Sequence, residues 1–346
     1  MTYKFRKNGS IKTVSRRGLK AVAAILSFIV IFLVAVNLIP PKKSIEKNPF
    51  IVGEGNLPMI AAHRGGGENN PENTMLAFRE AVNMGVDIIE SDLHLTSDGE
   101  LVFNHDAYID ETANTYPGKT LREVKMLCNV RANRHYIKDM TLAELLQYNF
   151  GYYFTDENGN KPYELVSDVA AAGLQIATFE QMLAEFSETN PDLLFIIEIK
   201  DSGDTGFAAC AKLNEVLNQY PSYRDRIVVG TFHDEIEDEL KSKYPDIMRG
   251  APMGSAASFI ITQMLGVNLF AGGDFACLQI PMSYDVGIEL KLDKKTFISR
   301  AHKRNIAVQY WTINGEDEMR RLIELGSDCI MTDNPKLLKE VLEEYK

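Results

Sequence analysis

Residues 59–93 read MIAAHRGGGENNPENTMLAFREAVNMGVDIIESDL, and this stretch decides the fold. Met59-Ile60-Ala61-Ala62 is a short apolar run, as expected of a strand buried on both faces. A polar, glycine-rich turn follows. From Thr74 to Met84, apolar residues recur at Leu76, Ala77, Ala81 and Met84, a helical stripe that Gly85 ends. Asp87-Ile88-Ile89-Glu90 then opens a second strand. Strand, helix and strand in that order form one βαβ unit and imply parallel pairing.

The alternation continues toward the C-terminus. Further strands are expected at residues 194–199, 227–231, 248–251, 277–280, 307–312 and 329–332. Helices are expected at residues 178–187, 206–220, 235–244, 294–305 and 316–325. Eight strands with helices between them predict an α/β fold, a parallel (β/α)8 TIM barrel. Val102-Phe103-Asn104 is a ninth short strand in an enlarged connection after strand 2. Residues 107–177 read as an insertion, rich in Tyr, Asn and Gly, with a helix of its own near 142–148. Long loops on the carboxyl side of barrel strands carry function. An open doubly wound sheet is the rival, but Gly65-Gly66-Gly67 lacks the G-x-G-x-x-G spacing of its phosphate loop.

The domain plan outward from the barrel is a basic tail (1–20), a transmembrane anchor (21–39), a linker (40–56) and the barrel (57–346). Residues 21–39, AVAAILSFIVIFLVAVNLI, carry no charge. Nineteen helical residues span roughly 28 Å, close to a hydrocarbon core. Seven basic residues and no acid precede that run, which predicts a cytoplasmic N-terminus and an extracytoplasmic body at the cell membrane. A cleaved signal peptide competes, but Asn37-Leu38-Ile39-Pro40-Pro41 makes a poor cleavage site. The net charge of −11 hides a body with 30 basic against 48 acidic residues. Such a body gives no reason to expect nucleic-acid binding. Cys128, Cys210, Cys277 and Cys329 have no metal-like spacing and are read as buried thiols.

The chemistry gathers at expected strand ends. Glu90 and Asp92 stand two apart, so both carboxylates share one face. Like charges this close call for a cation between them, and oxygen ligands suit a hard divalent ion. Glu198 interrupts the apolar strand FIIEIK and needs a partner for the same reason; Lys200 points to its side. His63 follows strand 1 and His105 follows the extra strand. Two imidazoles titrating near neutrality suit proton acceptance and donation. Arg64 can grip a phosphate through paired hydrogen bonds, or bridge to Glu72. Asn73 or Thr74 caps the first helix. Trp311, the only tryptophan, ends strand 7, where it packs in the core or against the carbon face of a small alcohol. His94, His135, His233 and His302 read as structural or surface residues.

Five ordered segments resemble the glycerophosphodiester phosphodiesterase family. They are HRGGGENNPENT from His63, ESDLHLTSDGELVFNHD from Glu90, Glu198-Ile199-Lys200, Trp311-Thr312-Ile313-Asn314, and the run from Asp328 to Pro335. The last run joins a strand and the turn after it. The resemblance covers residues 59–341, least in the insertion. It implies hydrolysis of glycerophosphodiesters to an alcohol and glycerol 3-phosphate, a phosphoric diester hydrolase activity. It further implies that His63 and His105 are the acid–base pair, and that Arg64 and Lys200 hold phosphate. It assigns Glu90, Asp92 and Glu198 to one divalent cation, Ca2+ or Mg2+, and Trp311 to the border of the substrate site. Ile176-Ala177-Thr178 and Glu111-Thr112-Ala113-Asn114 depart from the family pattern and bear on substrate preference. Two alternatives are a lysophospholipase D-type or cell-envelope glycerophosphate hydrolase, and a non-catalytic surface binding protein on a retired barrel.

Overall fold

The computed structural model describes residues 2–7, 10–109, 135–187, 189–271, 273–285, 287 and 289–346, the first fifteen by backbone only. The chain divides into two compact units, residues 1–42 with 254–272 and residues 43–253 with 273–346.

The larger unit is the expected barrel. Its strands are β1 (Met59–Ala62), β2 (Ile88–Leu95), β3 (Leu194–Ile199), β4 (Ile227–Gly230), β5 (Met248–Arg249), β6 (Cys277–Ile280), β7 (Ala307–Tyr310) and β8 (Cys329–Thr332). They pair in parallel in the order β5-β4-β3-β2-β1-β8-β7-β6. A parallel bridge from Gly250 to Cys277 joins the two ends of that order. Two backbone bonds reinforce it, Ala276 N to Arg249 O at 2.7 Å and Ala251 N to Cys277 O at 2.8 Å. The helices in chain order are α1 (Met75–Met84), α2 (Phe179–Phe186), α3 (Gly203–Gln219), α4 (Asp234–Lys243), α5 (Met253–Met264), α6 (Lys295–His302), α7 (Glu316–Leu325) and α8 (Pro335–Glu343). Thr74, the cap of α1, accepts a hydrogen bond from Ala77 N, and Gly85 ends the helix in the left-handed conformation.

Strand alternation divides the barrel interior into layers. Ala61, Ile88, Ile196, Val228, Cys277, Ala307, Cys329 and Met331 fill the lower layers with apolar side chains. Two or four residues further along the same faces come His63, Glu90 with Asp92, Glu198 and Trp311. The apolar floor is therefore the support of the polar mouth.

The stretch read as a linker is only partly one, because residues 43–52 pack on the amino-terminal end of the barrel. Ser44 Oγ donates to Phe275 O at 2.6 Å, and Asn48 Nδ2 donates to Ala276 O and Asn305 O at 2.7 and 2.9 Å. Val52 N donates to Asp328 Oδ1 at 3.0 Å. These acceptors all lie just before β6, β7 and β8. Phe50 is fully buried in the barrel core, with Ile45 and Ile51 beside it. Polar linker signals at Pro40–Lys43 obscured these three spaced apolar residues. Phe50→Ala is expected to cost about 3–5 kcal/mol of stability through the cavity it leaves, measured by denaturant unfolding.

The extra strand, Leu101–Phe103, pairs antiparallel with β2. The described part of the insertion has a small core of its own around Ile137, Leu145, Tyr148 and Phe150. Its helix is one turn, Leu142–Leu145, closed by a capping box between Thr141 and Glu144. Glu111–Asn114 and Cys128 lie outside the described residues. The other three cysteines are free and buried.

In the smaller unit, helix Arg16–Leu38 has 23 residues and is long and apolar enough to cross a membrane.

Candidate active site

Strand register brings the site together. Thr332 of β8 pairs with Ala62 of β1, so the next residues, Asp333 and His63, emerge side by side. Their side chains meet: His63 Nδ1 lies 2.6 Å from Asp333 Oδ1. Asp333 is held in turn by Asn314, whose Nδ2 donates to Oδ2 at 2.7 Å. Asn314 Oδ1 also accepts from Asp333 N at 2.9 Å and from the Thr332 hydroxyl at 3.1 Å. The chain from Asn314 through Asp333 fixes the imidazole, leaving Nε2 facing Glu90 Oε2 at 3.8 Å.

Burial opposes a charge on His63, but the Asp333 hydrogen bond and the Glu90 and Asp333 charges outweigh it and raise its pKa. Asp333 is lowered: burial pushes it up, and the bonds from His63 and Asn314 more than compensate. Both directions favour the charged forms of the pair.

The turn after β1 sets Arg64. Its backbone takes the left-handed conformation, φ 53°, which few side-chain-bearing residues adopt. That conformation lets Arg64 N donate to Glu90 Oε2 at 2.9 Å. Gly65 is also left-handed, and a Cβ there would stand 2.8 Å from the Ala77 Cβ, so only glycine fits. The Arg64 guanidinium bridges to Glu72 at 3.1 Å. Glu72 therefore orients Arg64, as its place in the motif suggested.

Three expected cation ligands reach the mouth. Asp92 of β2 and Glu198 of β3 are register partners across the strand pair. Lys200 sits between them, with Nζ 3.0 Å from Asp92 Oδ1 and 2.8 Å from Glu198 Oε1. Among the described residues, no three carboxylate, imidazole or thiol groups surround a common point. The pattern is instead carboxylates held apart by Arg64 and Lys200.

The site nonetheless fits a hard cation. The Glu90 carboxyl is almost fully buried and is pushed up to about 8, by burial first and then by Asp92. Asp92 Oδ2 lies 3.4 Å from Arg64 Nε, and neither atom makes a hydrogen bond among the described residues. Glu198 is also raised, by burial more than Lys200 lowers it. Two carboxylates short of positive charge, with an unused buried oxygen between them, suit a divalent ion with oxygen ligands.

His105 stands at the mouth beyond the extra strand, with Nδ1 3.0 Å from Asp106 Oδ1, and its side chain is 39% exposed. Trp311 packs against the barrel core and tilts toward Phe232, ring centroids 6.4 Å apart. Phe232 follows β4 and is exposed. The other histidines take structural parts. His94 meets Asp201 at 2.7 Å, His233 meets Lys200 O at 3.1 Å, and His302 meets Asp328 at 2.7 Å.

Local sequence pattern gives no role to Asp333, Asn314 or Phe232, and offers Asn73 only as an alternative helix cap to Thr74, which takes that place. Asp333 was visible as the residue one past β8, where His63 stands one past β1. Asn73, left-handed at φ 58°, accepts from Ser91 Oγ at 2.6 Å, and so ties the turn to β2.

The glycerophosphoryl diester phosphodiesterase family profile matches residues 63–337. The chain is similar to a glycerophosphodiester phosphodiesterase of Caldanaerobacter subterraneus subsp. tengcongensis, with 26% identity over 81% of this chain and 96% of the relative. It is likewise similar to a lysophospholipase D of Rattus norvegicus, with 27% identity over 81% of this chain and 85% of the relative. In fold it is similar to a crystal structure of a glycerophosphoryl diester phosphodiesterase from Silicibacter pomeroyi, TM-score 0.65 and 18% identity, covering 86% of this chain and 96% of the other. It is also similar to an Oleispira antarctica phosphodiesterase in complex with sn-glycerol-3-phosphate, TM-score 0.58 and 21% identity, covering 83% of this chain and 97% of the other. With the profile spanning most of the chain, from His63 through Asp333, the protein belongs to the glycerophosphoryl diester phosphodiesterase family and is a phosphoric diester hydrolase.

Proposed function

We propose that this chain is a membrane-anchored, extracytoplasmic, cation-dependent enzyme that hydrolyses glycerophosphodiesters to glycerol 3-phosphate and an alcohol. The observation that carries the reading is the arrangement of one clamped imidazole, one open imidazole, two cationic side chains and three carboxylates at the carboxyl end of β1–β3. Arg64 and Lys200 grip the phosphate oxygens, where negative charge grows in the transition state. The open His105 takes the proton from the attacking hydroxyl, which comes from water or from the substrate's own glycerol; in the second case a cyclic phosphate forms, and water then opens it to glycerol 3-phosphate. As the bond from phosphorus to the alcohol oxygen breaks, the charged His63 gives that oxygen its proton. Glu90, Asp92 and Glu198 would hold Ca2+ or Mg2+, which supplies fixed positive charge beside the phosphate. Phe232 and Trp311 offer apolar surface to the alcohol.

A purified full-length chain, assayed with glycerophosphocholine, is expected to release glycerol 3-phosphate and choline with Ca2+ or Mg2+ present. Release of phosphocholine instead would overturn the assignment of the broken bond. Undiminished turnover in chelator would overturn the cation.

The His63–Asp333 pair also gives a pH prediction. Asp333 helps to raise the His63 pKa above its ordinary 6.5, so a donor at this position is lost only as pH rises through the raised value. Asp333→Asn removes that support. The alkaline limb of kcat is expected to move to lower pH, with the acid limb unchanged. An unmoved alkaline limb would exclude His63 as the donor.

The anchor supports the location. Seven basic residues ahead of the uncharged run 21–39 favour a cytoplasmic N-terminus with the barrel outside. A protease added to intact cells is expected to reach the barrel; full protection would reverse the orientation. A second reading, lysophospholipid hydrolysis, is favoured by the rat relative and its mouse counterpart, both lysophospholipase D.

A further inference from the structure

Helix α5 breaks the rule that the other barrel helices keep. α4 reads DEIEDELKSK and α7 reads EDEMRRLIEL, each with charges on its outward side. Residues 250–273, by contrast, read GAPMGSAASFIITQMLGVNLFAGG, with no Asp, Glu, Lys, Arg or His. One residue in four of this chain is charged, so about six charges would be ordinary in a run of that length. Within α5 only Phe259 is buried. Met253, Ile261, Met264, Leu265 and Phe270 are between 55 and 64% exposed. Single exposed apolar residues are common, but five along one charge-free segment form a patch that water does not favour.

The company this segment keeps says what covers it. In the smaller unit, residues 254–272 pack with the helix of membrane-spanning length. Phe270 stacks on Phe32, ring centroids 6.5 Å apart. Asn37 Nδ2 donates to Gly266 O at 2.8 Å as well as to Leu33 O at 2.7 Å. A side-chain amide near the end of a membrane span is costly unless its donors are used, and the segment supplies the second acceptor. At 12 residues α5 is about 18 Å long, too short to cross a bilayer, so it suits the interface.

We propose that residues 253–270 are a second membrane-contact element, seated in the outer leaflet beside the N-terminal span. The occupant of the apolar face is lipid.

The test uses the full chain in phosphatidylcholine vesicles. Cys128 is replaced by serine, and a fluorophore is attached through Met264→Cys, the remaining cysteines being buried. Nitroxide-labelled phosphatidylcholine is expected to quench the probe, and aqueous iodide to leave it bright. Quenching by iodide alone would place the segment in water and overturn the contact. Protection from both would place it against protein, such as a second copy, and overturn it equally.

Discussion

Alanine at His63 or at His105 is expected to lower kcat for glycerophosphocholine by about 10²–10⁴-fold, the usual worth of one positioned acid or base. The two variants should differ in every other respect. The His105 side chain is 39% exposed and meets the adjacent Asp106. Its removal should leave the thermal midpoint nearly unchanged, as for an ordinary surface substitution. His63 is half-buried and bonded to Asp333 at 2.6 Å. Its removal takes the partner from a half-buried carboxylate and should also cost about 1 kcal/mol of stability, since Asp333 keeps some contact with solvent. The double variant should be little slower than either single one, because donor and acceptor serve the same transition state. The measurements are steady-state kinetics and thermal unfolding on the same preparations. Near-normal activity in His105→Ala would refute its role outright.

Lys200→Met is expected to reduce kcat/KM about 10²–10³-fold, comparable to loss of one fixed group that stabilises transition-state charge. The structural consequence is as informative. Lys200 is what separates Asp92 from Glu198, register partners on β2 and β3. Breaking a buried ion pair costs about 3–5 kcal/mol. Here the cost should be nearer 1–2 kcal/mol, because Lys200 keeps some contact with solvent and Arg64 stays beside Asp92. Raising Ca2+ or Mg2+ should then restore the thermal midpoint of the variant more than it raises that of the wild type, since cation and lysine compete for the same carboxylates. A midpoint indifferent to both ions would argue that Asp92 and Glu198 are structural partners of Lys200 and nothing more.

Much of this site was legible because strands report their faces simply. Period-two alternation put Glu90 with Asp92, and Glu198 with Lys200, and each pair projects into the mouth as expected. Charges in otherwise apolar strands were the signal. Asp333 was harder to read, because a polar Thr-Asp-Asn-Pro run at a strand end looks like a turn, and Asn334 does cap α8. Its contact with His63 depends on β8 pairing with β1, a fact about closure that no local pattern contains. Helix α5 escaped for the opposite reason: without charges it has no stripe, and periodicity had nothing to detect. The docked segment around Phe50 was hidden by its polar neighbours.

The pairing of β8 with β1 has a consequence for biogenesis. His63 and Asp333 stand 270 positions apart, on the first and last strands to be made. A chain still emerging from the ribosome or the translocon can fold its first βαβ unit with His63, Arg64 and Glu90 in place, yet its imidazole has no clamp. The clamp forms only when the eighth strand slots between the first and the seventh. On the proposed roles, competence to cleave is gated by completion of the barrel, and the hydrolase stays idle while it is being made.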